Sequence, residues 1–412
     1  MDGTIRTFHR ILSLLGISFF AEEGWDSKKW LALQIFTFIN GLIIFIFTSG
    51  FVIANVSDLV MFIDGACIWC TGVIMAISLG VCLVFRKGFR NFLDEMVFED
   101  AVLEIPLIKF VVMAEGGVKM AELKTLVLES QEKLLKYTKI LLKTHLFAAS
   151  LCVTLYICTP VYLMIMTDDK SLRLLAFDIW FPWSLENFKV YIASFVFHAY
   201  GASLCCITNP GFQSTIILLV GQLIRQLRIL TFILLNLNEL VIELVGNKNP
   251  RWQAHCTSVL VQCVKHYIKL KRFSNGLNYI CRPFYLTLIL VSTMLVCMCS
   301  VKIATSEKLT PDTIKYYVHE FCFILIVLMF CLLGQQVENE CRELEVAALE
   351  KWYIFNKQHQ SNVRIFHIAV SQRMPIYIFG TIPLSLPTFT WFMKTGSSFF
   401  TLMMSVLEEE NA

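Results

Sequence analysis

"QRMPIYIFGTIPLSLPTFTWFMKTGSSFFTLMMSV", residues Gln372–Val406, decides how the whole chain is read. It is long and apolar enough to suggest a membrane anchor, yet it holds Pro375, Pro383 and Pro387 and carries Lys394 deep inside. A charge far from either end of an apolar run is expensive in lipid and marks function by default. At about 100° per residue, with Thr390 set at zero, Lys394, Ser397, Ser398, Thr401 and Ser405 fall within an arc of about 100°. Phe389, Phe392, Phe399, Phe400 and Met403 occupy the rest of the circumference. The stretch therefore predicts an amphipathic helix with one hydroxyl-rich face. Two readings stay open: hydroxyls bonded to their own backbone or to neighbouring helices, which is common in membranes, or a face wetted inside a membrane. One such helix encloses no pore; several around an axis could.

The rest of the chain favours a membrane too. Its 412 residues are 56% hydrophobic and 16% charged, against ~45–50% and ~25% for a soluble domain. Seven runs are long enough for a bilayer core of about 30 Å, near 31–55, 61–85, 140–166, 188–221, 281–301, 316–338 and 377–407. Lys and Arg concentrate before the first run and between runs two and three, four and five, and six and seven. Positively charged loops stay inside, so the expected orientation has a cytoplasmic N-terminus and an extracellular C-terminus. Residues 6–21 imitate a signal peptide, but Phe19 and Ala21 make a poor cleavage site. An amphipathic helix lying on the inner membrane surface is the expectation there.

Fifteen cysteines look like a disulfide framework, but most sit inside the apolar runs, where a thiol is a small apolar filler. Residues 86–139 and 222–280 carry helical periodicity and alternating charge, broken at Gly246 and Pro250. They predict spans that continue beyond the membrane as a cytoplasmic helical layer. The chain has no P-loop, no H-E-x-x-H and no G-x-S-x-G. No enzyme activity, cofactor or nucleic-acid partner is expected. Asp64 and Glu320, near the outer ends of their spans, read either as headgroup-boundary residues or as the polar wall of a ligand cavity.

The C-terminal third resembles the insect odorant receptor family. The residues that carry this are Ala347 with "KWY" (Lys351–Tyr353), "SQRMP" (Ser371–Pro375), "LSLPTF" (Leu384–Phe389) and "MKTGSSFFTLM" (Met393–Met403). "FPW" (Phe181–Trp183) and "CVKHYIKLKRF" (Cys263–Phe273) are also similar, less specifically. The departures are Met374 between Arg373 and Pro375, Gly396 and Phe399 in place of tyrosines, and the extra Pro383. The resemblance implies an all-α membrane protein of seven transmembrane helices with the inverted topology. Residues 1–338 would form ligand-binding helices one to six, and 339–412 an anchor helix plus a pore-lining seventh. It implies a ligand-gated, non-selective cation channel. Four subunits, including the family's shared co-receptor, would form a heterotetramer in the plasma membrane of a sensory neuron. The co-receptor has a longer second cytoplasmic loop and lacks a lysine at the position of Lys394, so by this resemblance the chain looks like a ligand-specific subunit.

Aligning the chain ends puts the pore and gate at Ser398, Thr401, Leu402, Ser405 and Val406. The family's cavity for a small volatile apolar ligand lies in the outer half of spans two, three, four and six. Helical spacing there offers Asp64 and Ile68; Ser150, Thr154 and Cys158; Tyr191, Phe195 and His198; and Tyr317, Glu320 and Ile324. A gustatory-type receptor channel of the sister family is the alternative, and the Leu-Ser-Leu-x-Thr-Phe pattern decides against it. A G-protein-coupled receptor lacks support, because D-R-Y and N-P-x-x-Y are missing from the expected places.

Overall fold

Apolar runs bounded by turn chemistry become helices along the chain. The computed structural model describes residues 3–113, 116–166, 173–246, 251–306, 310–378 and 380–410. In order, the helices are α1 (Gly3–Ser13), α2 (Lys28–Ala54), α3 (Leu59–Val84), α4 (Arg86–Leu93), α5 (Pro106–Met113) and α6 (Val118–Met166). Then come α7 (Phe188–Leu235), α8 (Leu237–Val245), α9 (Trp252–Thr305), α10 (Pro311–Ala348), α11 (Lys357–Ser371) and α12 (Leu386–Glu410). Side-chain caps start several of them. Asp58 accepts from the Val60 and Met61 amides at 3.1 Å, and Asn187 from Lys189 at 3.0 Å, satisfying donors that a helix start leaves unpaired.

Six of these helices, α2, α3, α6, α7, α9 and α10, are long and apolar enough to cross a membrane. The expected seventh span, 377–407, is not among them. Its first part is a hairpin, β1 (Tyr377–Ile378) antiparallel to β2 (Ile382–Pro383). The turn between them uses Gly380 at φ 83°, a left-handed conformation that glycine adopts without a Cβ penalty. The chain then enters α12, in which Lys394 and five Ser and Thr residues from Thr395 to Ser405 dilute the apolar content. The fold is all-α and multi-pass, with six helices among the described residues apolar enough to span a membrane rather than the expected seven.

The expected helical extensions are present. α6, α7 and α9 run for 49, 48 and 54 residues, which at about 1.5 Å per residue is more than twice a ~30 Å bilayer core. Pro160, Pro210 and Pro283 sit inside them without ending them. α7 is the most enclosed of the six; α6 and α10 pack mainly along it, whereas α2 and α9 pack mainly on α3.

The N-terminal stretch packs against the rest of the chain. Its apolar face is packed into protein, with Phe8, Phe19 and Phe20 buried and the Phe19 ring stacked on Phe89 at 5.4 Å. Arg90 holds this segment by donating to the carbonyls of Phe19 and Ala21 at 2.8 and 2.5 Å. Arg86 donates to Ser18 Oγ at 3.0 Å and to the Trp25 carbonyl. These contacts satisfy the carbonyls of a non-helical buried turn, which lipid could not.

The segment before α12 docks on α9 and α10. Asn278 Nδ2 donates to the Pro375 carbonyl at 3.0 Å, and its Oδ1 accepts from the Tyr377 amide at 3.4 Å. Gly334 on α10 makes the approach possible, because a Cβ there would collide with the Leu384 carbonyl.

Candidate functional site

Where α3, α6, α7 and α10 converge, two adjoining cavities of about 80 and 90 Å³ share Thr71, Cys152, Val153, Cys205 and His319 as walls. The first continues along α7 and α10 past Asn209, Pro210, Gln213, Phe323 and Ile326. The second opens toward α2 and the 173–187 loop through Ile44, Thr48, Ile68, Tyr156 and Phe177. The lining is mostly aliphatic, aromatic and thiol, which favours an apolar guest held by shape and burial.

His319 is the shared centre. Its Nε2 lies 2.9 Å from Thr71 Oγ1 on α3, and its Nδ1 3.3 Å from the Tyr156 hydroxyl on α6. One imidazole on α10 thus ties three helices at the cavity wall. His319, Phe323 and Ile326 follow the i, i+4, i+7 spacing that puts residues on one helix face.

A polar cluster sits near the same ends of these helices. Lys302 pairs with Asp64 at 2.7 Å, and the Tyr316 hydroxyl donates to Asp64 at 3.3 Å. Ser300 donates to Glu320 at 2.7 Å. The Lys315 ammonium lies 5.0 and 5.1 Å from the ring centres of Tyr156 and Tyr316, a cation–π geometry.

Of the positions offered by helical spacing, Ile68 lines the second cavity. Asp64 and Glu320 are in the polar cluster just described. His198 lies one layer behind the wall, stacked on the cavity residue Phe177 at 4.4 Å. Tyr191 donates to the Leu174 carbonyl at 2.7 Å and neighbours the Phe195 ring. Ser150, Thr154, Cys158 and Tyr317 are exposed on the single chain, and Ile324 is half-buried. Thr71, Cys152, Cys205, Asn209, Gln213 and His319 line the cavities although helical spacing did not point to them. His319 is adjacent to Glu320 in sequence, so its signal was a second in-span polar residue one position away.

α12 presents two distinct faces. Phe392 is 1% exposed and Leu407 8%, with Gly396 against Val296 of α9. On the opposite side Ser398, Thr401 and Ser405 are exposed, and on the flank between the two faces so are Leu402, by 58%, and Val406. Ser397, Ser398 and Thr401 donate to the carbonyls of Met393, Lys394 and Ser397 at 2.9, 2.9 and 3.0 Å, and Ser405 to that of Leu402 at 2.8 Å. The hydroxyls thus have partners within their own helix while their oxygens still face outward.

The family model described as "7tm Odorant receptor" matches residues 121–396. The fold is similar to the insect olfactory receptor OR5 from Machilis hrabei, with a TM-score of 0.80 at 12% identity over 98% of this chain and 97% of that one. It is similar also to the same receptor in complex with eugenol, with a TM-score of 0.81 at 13% identity over 98% of this chain and 100% of that one. No curated protein sequence matches the chain.

Proposed function

Because this chain belongs to the 7tm odorant receptor family, we propose that it is the ligand-sensing subunit of a cation channel and binds a small volatile molecule in the cavities around His319. The observation that carries this is the pair of small, largely apolar cavities where α3, α6, α7 and α10 converge. The similar receptor from Machilis hrabei has been solved with eugenol, a ligand of the same small and largely apolar class.

The channel part of the reading rests on α12. Its buried face packs on protein, and its outward face carries Ser398, Thr401, Leu402, Ser405 and Val406. Around an axis shared by four subunits, including the family's co-receptor, that face would meet water, with Leu402 as the constriction. Residues 339–412 then act as the anchor and pore segment, and 1–338 as the ligand-sensing part. A hydrophobic ring in a narrow pore closes by dewetting. The setting is the plasma membrane of a sensory neuron.

The test is electrical. Cells making this chain with the co-receptor should pass a cation current when a panel of small volatiles is applied, and cells making either chain alone provide the comparison. No current to any volatile, with the chain labelled at the cell surface, overturns the reading.

A further inference from the structure

The first cavity is lined by polar groups that have no partner among the described residues. Asn209 and Gln213 both line it. They lie four residues apart on α7, one helical turn, and therefore on one face. Gln213 is 1% exposed and Asn209 7%. Neither Asn209 Oδ1 nor Gln213 Oε1 has a hydrogen-bond partner. The other end of the Asn209 amide is engaged, with Nδ2 donating to the Cys205 sulfur at 3.3 Å. Between the two sits Pro210, which has no N–H to give to the carbonyl of Cys206 one turn earlier. Cys206 and Pro210 line the same cavity.

An unpaired buried acceptor is costly, because it has left water without gaining a donor. Here two unpaired side-chain acceptors lie one turn apart on the α7 wall of a largely apolar cavity, beside a carbonyl that Pro210 leaves without its usual helical donor. We propose that this is a hydroxyl-recognition subsite, and that the preferred ligands are neutral molecules with an apolar body and one O–H, a phenol or alcohol, donating to Gln213 Oε1 and Asn209 Oδ1. A neutral donor fits better than an ammonium group. No carboxylate lines either cavity, and a buried cation without a counter-charge is disfavoured. The inference deepens the proposed function and rests on it for treating the cavity as a ligand site.

The test is direct binding to the purified full-length protein, followed by ligand-induced thermal stabilisation. The probes are phenol, its isostere toluene, its donor-capped form anisole, and benzylamine. Native protein should bind phenol roughly tenfold more tightly than anisole, the size expected for one buried hydrogen bond. Gln213→Met and Asn209→Leu should each lower the phenol-to-toluene affinity ratio by roughly tenfold, while toluene binding persists and reports that the cavity is intact. Equal binding of phenol and anisole to native protein overturns the proposal, and means that resident water alone occupies the acceptors. A phenol-to-toluene ratio unchanged in both variants overturns it as well. Benzylamine binding more tightly than phenol would reject the neutral class. Binding does not require gating, so absence of ligand-evoked current with hydroxyl preference intact counts against the channel reading alone.

Discussion

His319 Nε2 lies 2.9 Å from Thr71 Oγ1, joining α10 to α3 across 248 residues of sequence at the wall common to both cavities. Tyr156 completes the junction from α6 at 3.3 Å. A ring held from two sides has little freedom to move aside for a guest, and it is expected to act as a fixed partition. His319→Ala should merge the two spaces and shift preference toward larger ligands. In a homologous series of alkanols, the chain length giving half-maximal current at the lowest concentration should rise by one or more carbons. Thr71→Val keeps the volume and removes one tie. It should change the concentration for half activation without changing the preferred length. An unchanged size optimum in His319→Ala would remove the imidazole from the partition role.

The ion pair between Asp64 and Lys302, at 2.7 Å, lies in apolar stretches of α3 and α9. Removing one partner of a shielded pair strands the other charge, at a cost of about 3–5 kcal/mol, whereas removing both is far less damaging. Lys302→Met should therefore lower surface expression sharply. Asp64→Asn combined with Lys302→Met should restore most of it. Counting surface-labelled protein for the two single variants and the double variant checks this. A double variant no better than Lys302→Met would mean that the pair is not the reason the single change fails.

Much of the fold is legible in the sequence because the solvent requirement is crude. Lipid demands runs of about 20 apolar residues, and α2, α3, α6, α7, α9 and α10 supply them. The helical continuation of α6, α7 and α9 is legible for a different reason, since charge returns at helical spacing beyond the apolar part. Residues 377–385 mislead because Tyr377, Ile378, Ile382 and Leu384 are as apolar as a span, while Gly380 and Pro383 shape a hairpin. The protein contacts of the N-terminal segment are not legible, because an amphipathic face does not say what covers it. The polar stripe of α12 is legible since Ser398 and Thr401 contrast with Phe392 across one helix. Around the cavities that contrast fails. Cys152 and Val153 differ little in polarity from their neighbours, so periodicity does not select their face. His319 reaches the wall only because Thr71 and Tyr156 meet it, a long-range relation that no local pattern encodes.

His359 on α11 supplies a pH dependence. Its ring stacks on Phe355 at 4.1 Å, and Nδ1 lies 3.1 Å from Thr257 Oγ1. Burial pushes its pKa down from 6.5 to about 4. The folded protein keeps this imidazole neutral while the unfolded chain takes up a proton, so the contribution to stability is complete above pH 6.5 and is lost as pH falls toward 4. The melting temperature of the purified protein should fall over that window. His359→Gln should be less stable at pH 7.5 and should show a shallower fall than the native chain. Parallel profiles for the two proteins would remove His359 as a source of the slope.

Leu402 and the hydroxyl stripe give the sharpest test of the channel proposal. Phe392 is 1% exposed and faces protein, whereas Leu402, about 80° away around the same helix, is 58% exposed. If that outer face closes a pore by dewetting, a polar residue at the constriction keeps it wet. Leu402→Ser should leave assembly intact and raise the ligand-free current severalfold. The effect is partial, because only subunits of this sequence contribute the leucine. Ser405→Glu adds negative charge to the proposed wall and should raise relative permeability to divalent cations. Ser398→Cys and Thr401→Cys should react with a water-soluble thiol reagent, faster when ligand is present. Phe392→Cys should stay unmodified, since its position is covered by protein whatever surrounds α12. Modification at Phe392→Cys together with inert cysteines at 398 and 401 would place water on the opposite face. The Ser398–Ser405 stripe would then be a packing surface against another subunit or lipid, its hydroxyls satisfied by their own helix carbonyls.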